Sequence, residues 1–422
     1  MIVISGELLK EIVERKTSQD VFFLCRDREV YNLLNDNSKQ GLPGTLHWAE
    51  GQAEISATEV GKADDYVRVI IRRPDGASGP IPDEAAVEVK GYVRSEEQWV
   101  EVTVTIIPVK AQLFSRIGGL LETDVIASKK VLIIGLGSVG SIIAMELAKC
   151  GVMEFVLIDH DRLEIVNVAR HVAGVSHVGR YKTKAMAELI KDKNPYARIR
   201  TWERRVSWTD SEEVRTILRE VDIVVCATDN QESKLFINWL CVKEGKPCIF
   251  PGAFRRAYGT QIIFRRTPKD PCYQCFVMNL PDRARDQEIS NPEQATGIAY
   301  SDRPVAIEPG LSTDIAPVSI MTVKLIIQEF VKGTETTLRS LDEDLVAPWY
   351  LWLNRREPGT QYQKLGPLEF NVDGIRVLRW YGIDMKPDPA CPVCGNFEIA
   401  NQESSPIPDF RKLIGQPGER SD

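Results

Sequence analysis

The rhythm of apolar and polar positions changes near residue 110. Before it, Glu7–Arg15 has helical periodicity, whereas Tyr66–Arg72 and Trp99–Ile107 alternate like strands. In the second of these, Val100, Val102, Val104 and Ile106 fall on one side. Turn-rich pieces, Gly41–Gly44 and Arg73–Pro80, lie between them. Residues 1–110 therefore read as a small α+β domain. From 111 to 335 the rhythm becomes β-α-β. Val131–Ile134, Phe155–Ile158 and Asp222–Ala227 are short continuous apolar runs of the kind that form buried parallel strands. Ser141–Lys149, with Gly151 as its C-terminal cap, and Tyr181–Lys193 read as helices between them. This alternation predicts an α/β fold with a doubly wound, mostly parallel sheet. Residues 336–422 are rich in Trp, Pro and turns and form a third region.

A length of 422 residues fits two or three domains. Apolar residues make up 43% and charged residues 27%, as in a globular chain with real cores. The net charge of −7, from 53 basic and 60 acidic side chains, weighs against a nucleic-acid partner. No apolar run reaches the roughly 18 residues of a membrane span. The opening Met1–Gly6 lacks the basic stretch and long apolar run of a secretory signal, so a cytoplasmic location is expected. Nine cysteines fit that compartment. Cys25, Cys150, Cys226, Cys241 and Cys248 are scattered, mostly in apolar runs. The other four form two Cys-x-x-Cys pairs, Cys272/Cys275 and Cys391/Cys394. Two such pairs far apart in sequence are a common tetrahedral Zn²⁺ arrangement, and four thiolates would saturate the ion and make it structural. Unpaired or redox-active cysteines are the alternative.

Gly135-Leu-Gly137-Ser-Val-Gly140 follows the first buried strand and opens a helix. Glycines there let the backbone turn tightly and approach a phosphate or ribose, and a helix N-terminus favours anions. Asp159 ends the next strand, where a carboxylate can bind ribose hydroxyls. These features alone suit an NAD-dependent dehydrogenase equally well, or glycines that serve only packing.

The residues after Asp159 separate the readings. The chain runs Asp159-His-Asp161, then Asn167-Val-Ala-Arg170, then Val178-Gly-Arg-Tyr-Lys182, and later Thr228-Asp229-Asn230. In order and spacing this resembles the ThiF/MoeB and ubiquitin-activating-enzyme family over roughly 111–335, but not over the first 110 residues. The resemblance implies an ATP-dependent adenylation, in which a carboxylate attacks the α-phosphate and pyrophosphate leaves. It implies that Asp159 holds the ribose, that Asn167, Arg170 and Lys182 contact the phosphates, and that Asp229 binds Mg²⁺. It gives Arg116 the role of a finger reaching into a neighbouring subunit's site, hence a homodimer. It also places the two cysteine pairs where the family holds its zinc, with the stretch Trp349–Gly374 as an insertion between them. The implied substrate is a β-grasp, ubiquitin-like protein ending in Gly, with Arg255–Gly259 and the 280–312 crossover as contacts for its tail. A conjugating enzyme is a further expected partner, by analogy from the extra N-terminal domain.

One departure matters. Relatives pass the acyl group to a cysteine after the first pair, but here no cysteine lies between Cys275 and Cys391. Ala299 occupies the expected position. Three explanations stand open: an engineered Cys→Ala replacement, an enzyme that stops at the adenylate, or another thiol such as Cys248. A cysteine-independent enzyme acting on a sulfur carrier or peptide, and a non-catalytic scaffold, are the rival functions.

Overall fold

A computed structural model of the chain describes residues 1–16, 19–26, 30–34, 42–49, 52–58, 65–73, 87–95, 98–107, 113–279, 309–360, 362–368 and 374–395. They fall into two compact units, Met1–Arg116 and Ile117–Asp422.

In the first unit, β1 (Ile2–Ser5) leads into α1 (Gly6–Arg15). The Ser5 hydroxyl caps that helix by accepting from the Leu8 amide at 3.1 Å. Next come β2 (Gln19–Arg26), β3 (Val30–Leu34), β4 (Leu42–Ala49), β5 (Gln52–Thr58), β6 (Asp65–Arg72), β7 (Glu88–Ser95), β8 (Gln98–Val102) and β9 (Val104–Ile107). They form one sheet in the order β8-β7-β6-β5-β4-β2-β3-β1-β9, in which β1 runs parallel to both neighbours and the other pairs are antiparallel. The single strand expected over Trp99–Ile107 is thus two, broken at Thr103. The two halves lie at opposite ends of the strand order, so the sheet curls back on itself. Thr103 takes part in the turn by accepting from the Ile2 amide at 2.9 Å. Gly91 permits the curl, because a Cβ there would sit 2.6 Å from the Ile2 side chain and 2.7 Å from that of Val104. Inside lie Ile2, Ile4, Phe23, Leu46, Ile55, Val69 and Ile71, with the apolar face of α1.

The second unit begins with α2 (Thr123–Ala127), β10 (Lys130–Ile134), α3 (Ser138–Lys149), β11 (Glu154–Ile158), α4 (Lys182–Lys193) and β12 (Arg198–Trp202). It continues with α5 (Ser211–Glu220), β13 (Ile223–Cys226), α6 (Gln231–Lys243), β14 (Cys248–Ala253), β15 (Gly259–Arg265), α7 (Tyr273–Asn279), α8 (Ser312–Val331), β16 (Trp349–Leu353) and β17 (Trp380–Ile383). The sheet order is β12-β11-β10-β13-β14-β15-β16-β17, parallel through β14 and antiparallel beyond it. Strand residues alternate between two cores. Val131, Ile133, Phe155, Leu157, Ile223 and Val225 face α3, α4 and α8. Leu132, Ile134, Val156, Ile158, Val224 and Cys226 face α5, α6 and α7. Both faces are covered, so these strands read as unbroken apolar runs rather than alternating ones.

Two boundaries differ from the sequence reading. α3 starts at Ser138, not Ser141, because the Gly137 carbonyl accepts from the Ser141 amide at 3.0 Å and closes a first turn inside the glycine stretch. The Trp349–Gly374 stretch supplies a strand of the same sheet, β16, paired to β15 through Gly259↔Leu353 to Ile263↔Trp349. At its other end α3 finishes as expected: Gly151 takes φ +95°, and the Gly151 and Val152 amides bond back to Ala148 and Leu147. Among the described residues, no helix is long and apolar enough to cross a membrane.

Candidate functional site

Strand order reverses between β10 and β13, which are neighbours although β11 and β12 come between them in sequence. In open α/β sheets the crevice beyond the strand C-termini at such a point is where ligands bind. Ile134 pairs with Ile158 on one side and Cys226 on the other, so Gly135, Asp159 and Ala227 leave the sheet at one level. Gly135 has φ +87°, and a Cβ on it would lie 2.8 Å from the Ala227–Thr228 peptide. A Cβ on Gly140 would meet the Gly135 carbonyl oxygen at 1.9 Å. Only glycine allows the loop to pass so close to its own helix. Gly137, by contrast, faces open space and sits at the N-terminus of α3.

Asp159 is buried. One carboxylate oxygen accepts from the Leu136 amide at 2.6 Å and the other from the Asp161 amide at 2.8 Å. Burial raises its pKa above the ordinary carboxylate value, against the nearby Lys182 charge and these two amides, which pull it down. Lys182, the first residue of α4, is itself buried and pairs with Asp161 at 2.8 Å. The segment between β11 and α4 meets the glycine loop at Leu136, through Asp159 at its start and His171 farther along. Within it, the Asn167 side-chain oxygen accepts from the Glu164 amide at 3.0 Å in a capping box, and the Asn167 carbonyl accepts from the Arg170 and His171 amides at 2.9 Å each. The Arg170 guanidinium lies beside Gly310, where a Cβ would come within 3.5 Å of it. Asp229 is exposed just past the end of β13, and the neighbouring Asn230 caps α6 by accepting from the Ser233 amide at 2.8 Å.

The structure therefore brings Gly135, Gly137, Gly140, Asp159, Asn167, Arg170 and Lys182 to one end of the sheet, with Asp229 emerging from the adjacent strand. Arg116 is exposed ahead of α2. Ala299 lies outside the described residues. So do residues 280–308 of the crossover named as a tail contact. Cys248 is fully buried in β14, which removes it as an acceptor of a bulky acyl group.

Two features were not anticipated. His171 is buried behind the glycine loop: its Nε2 is 2.8 Å from the Leu136 carbonyl oxygen, and its Nδ1 accepts from the Ala173 amide at 2.9 Å. The second is the turn before Gly259, where Arg256 and Ala257 both adopt left-handed φ values of +53° and +49°. That strain is held from β16 and the residues after it. Asn354 donates to the Ala257 and Asp314 carbonyls at 2.8 Å each. Arg355 pairs with Asp314 at 2.9 Å and with Glu357 at 3.0 Å, and Glu357 also holds Arg256 at 2.8 Å. Nothing in the sequence pattern pointed to this turn's conformation, since neither residue is Gly, Asn or Asp.

The cysteine pairs meet. All four sulfurs lie within 4.8 Å of one another, with separations of 3.9 Å for Cys272–Cys275, 3.6 Å for Cys272–Cys391 and 3.3 Å for Cys275–Cys394. A tetrahedral zinc with bonds of about 2.3 Å needs sulfurs about 3.8 Å apart, so the donor set fits that ion. The Asp388 amide donates to the Cys275 sulfur at 3.4 Å, a contact of the kind that supports a thiolate ligand. Gly395 closes the second pair, where a Cβ would be 2.5 Å from the Cys391 and Pro389 carbonyl oxygens.

A doubly wound sheet with a glycine loop and a buried carboxylate at the end of the next strand is the arrangement of a nucleotide-binding class of fold. Residues 109–345, more than half of the chain, match the ThiF family, and the chain belongs to it. It is 29% identical over 174 residues to the adenylyltransferase and sulfurtransferase UBA4 of Lodderomyces elongisporus, covering 41% of this chain and 37% of that protein. It is 23% identical over 253 residues to the ubiquitin-like modifier-activating enzyme 5 of Caenorhabditis briggsae, covering 57% and 59%. The chain thus spans less than two thirds of the length of these relatives. A crystal structure of Escherichia coli MccB with ATP aligns with a TM-score of 0.47 and 21% identity over 65% of this chain and 69% of that one.

Proposed function

We propose that this chain uses ATP to adenylate the C-terminal carboxylate of a small ubiquitin-like, β-grasp protein ending in Gly. The observation that carries the reading is the convergence of the glycine loop, Asp159, Arg170 and Lys182 at the strand switch point of a ThiF-family chain. In the reaction a carboxylate oxygen of the substrate attacks the α-phosphorus, a new P–O bond forms, and the bond to the bridging oxygen breaks as pyrophosphate leaves. Charge accumulates on the leaving group, so catalysis is largely positioning and electrostatic stabilisation. Asp159 takes the ribose hydroxyls with the lone pairs that the two amides leave. Arg170, Lys182 and the Asn167 amide group face the phosphates, which requires Lys182 to exchange Asp161 for phosphate oxygen. Asp229, an exposed carboxylate at a strand end, suits Mg²⁺, a hard cation that would neutralise phosphate charge.

The test is Mg²⁺-dependent ATP–pyrophosphate exchange with candidate Gly-ending proteins. Exchange that depends on one of them, and is lost in Lys182→Ala, is the expected result; ATP binding without exchange favours a scaffold. Arg116 is assigned to the site of a partner subunit. Mixing Arg116→Ala with Lys182→Ala chains should then restore part of the exchange that each has lost, because the mixed dimer contains one intact site. No recovery in mixed dimers removes that assignment.

A second reading concerns the step after adenylation. The absence of cysteine between Cys275 and Cys391, and the full burial of Cys226, Cys241 and Cys248, favour release of the acyl group directly to an external nucleophile such as that of a sulfur carrier or peptide. Thioester formation in a conjugation route would instead use a thiol at Ala299, the position that the family resemblance assigns to it. An Ala299→Cys chain that forms a reductant-sensitive conjugate with its substrate restores that route; one that forms none removes it.

A further inference from the structure

The adenylation reading assigns no task to His171, yet this side chain joins the two halves of the nucleotide site. Its Nδ1 accepts from the Ala173 amide at 2.9 Å, so the proton of the neutral ring is on Nε2, which donates to the Leu136 carbonyl at 2.8 Å. Leu136 lies inside the glycine loop, and its amide is already donated to Asp159 at 2.6 Å. Both flanks of this residue are therefore fixed, the amide by the ribose-level carboxylate and the carbonyl by the imidazole. The His171 amide in turn donates to Asn167, the same carbonyl that accepts from Arg170. One side chain thus ties the Asn167–Arg170 turn to the glycine loop across 35 residues of sequence.

We infer that His171 is a positioning residue that locks the glycine loop and the Asn167–Arg170 turn into a single preformed cradle for the nucleotide phosphates. The inference rests on the ATP-site reading above. The need for a lock arises from the loop itself. Gly137 has no side chain and faces open space, so nothing packed against it holds the peptides that follow Leu136, and an amide that must point at a phosphate loses binding energy if its peptide can turn away. His171 is shielded from solvent, so this hydrogen bond does not compete with water. Burial also lowers the ring pKa to about 4, keeping it in the neutral form that can donate and accept at once.

The test is isothermal titration of the full-length protein with Mg-ATP, alongside thermal unfolding, for wild type, His171→Ala and His171→Gln. Gln can donate and accept, whereas Ala can do neither. The expected result is Mg-ATP binding weakened about ten- to a hundredfold in His171→Ala and recovered to within about threefold of wild type in His171→Gln. Unchanged affinity in His171→Ala, even with a lowered melting temperature, overturns the inference, because it leaves only a structural role. Equal loss in both variants overturns it too. If His171→Ala does not fold, the ring is read in the wild type by long-range proton–nitrogen NMR. A neutral Nε2–H tautomer whose resonances shift on Mg-ATP addition is expected; resonances unmoved by saturating Mg-ATP overturn the inference. Wild-type protein that takes no Mg-ATP removes the ATP-site reading itself, an outcome the first titration separates from the others.

Discussion

At the scale of single residues, three polar groups of the candidate site, Asp159, Lys182 and His171, are buried, and each is held by partners in its surroundings. Asp159 and His171 hold one loop residue between them, and each has a titration behaviour set by burial. An unfolded chain titrates His171 near the ordinary 6.5, while the folded protein keeps it neutral down to about 4. Between those values the unfolded state binds more protons, so acid favours unfolding. The neighbouring Lys182 and His177 charges reinforce this, and the Leu136 carbonyl opposes it. Stability should therefore fall as pH drops from 6.5 towards 4, by up to about 3 kcal/mol from this residue. Urea unfolding across that range, with His171→Gln subtracted to remove carboxylate titration common to both, should isolate the slope. Identical curves for the two proteins would contradict it. Asp159 and Arg170 could be singled out in the sequence because they stand in an ordered, spaced motif that resembles a known family, and the structure places both at one end of the sheet. His171 is not legible in the sequence, because its role depends on where the Leu136 carbonyl points in the folded loop.

At the scale of elements, legibility followed burial. β10, β11 and β13 lie within a sheet covered on both faces, and their runs of Val, Leu and Ile announced them. Trp99–Ile107 misled because alternation continues across Thr103 while the chain crosses from one end of the strand order to the other. Periodicity records which side a residue faces, not which strand it pairs with. The left-handed Arg256–Ala257 turn was hidden for a different reason, since its stabilisation comes from Asn354 and Arg355, about 100 residues later. Asn354 uses its whole amide: it donates to Ala257 and Asp314 and accepts from the Trp352 indole at 2.7 Å. Asn354→Ala should cost about 2–3 kcal/mol, because three polar groups lose a partner at once. A shift in the urea midpoint reads this, and a loss under about 0.5 kcal/mol would show that the turn holds itself.

At the scale of the whole molecule, the second unit is closed by its cysteines. Elemental analysis of protein purified without chelator should give one zinc per chain, and Cys391→Ser should lower the melting temperature by roughly 5–10 °C. Protein without zinc, and a Cys391→Ser variant as stable as wild type, would reduce the cluster to four packed thiols. The cluster also has a consequence in time. Its halves are 119 residues apart, and α8, β16 and β17 all lie between them. At about 5–20 residues per second of synthesis, Cys272 and Cys275 emerge roughly 6–24 s before the partners that complete their site. Throughout that interval the nascent chain carries only half of the cysteine cluster, and α8, which covers one face of the parallel sheet, is itself made only during it. The antiparallel edge can be fastened only after Cys394 leaves the ribosome, so the clasp is the natural final event of this unit's folding.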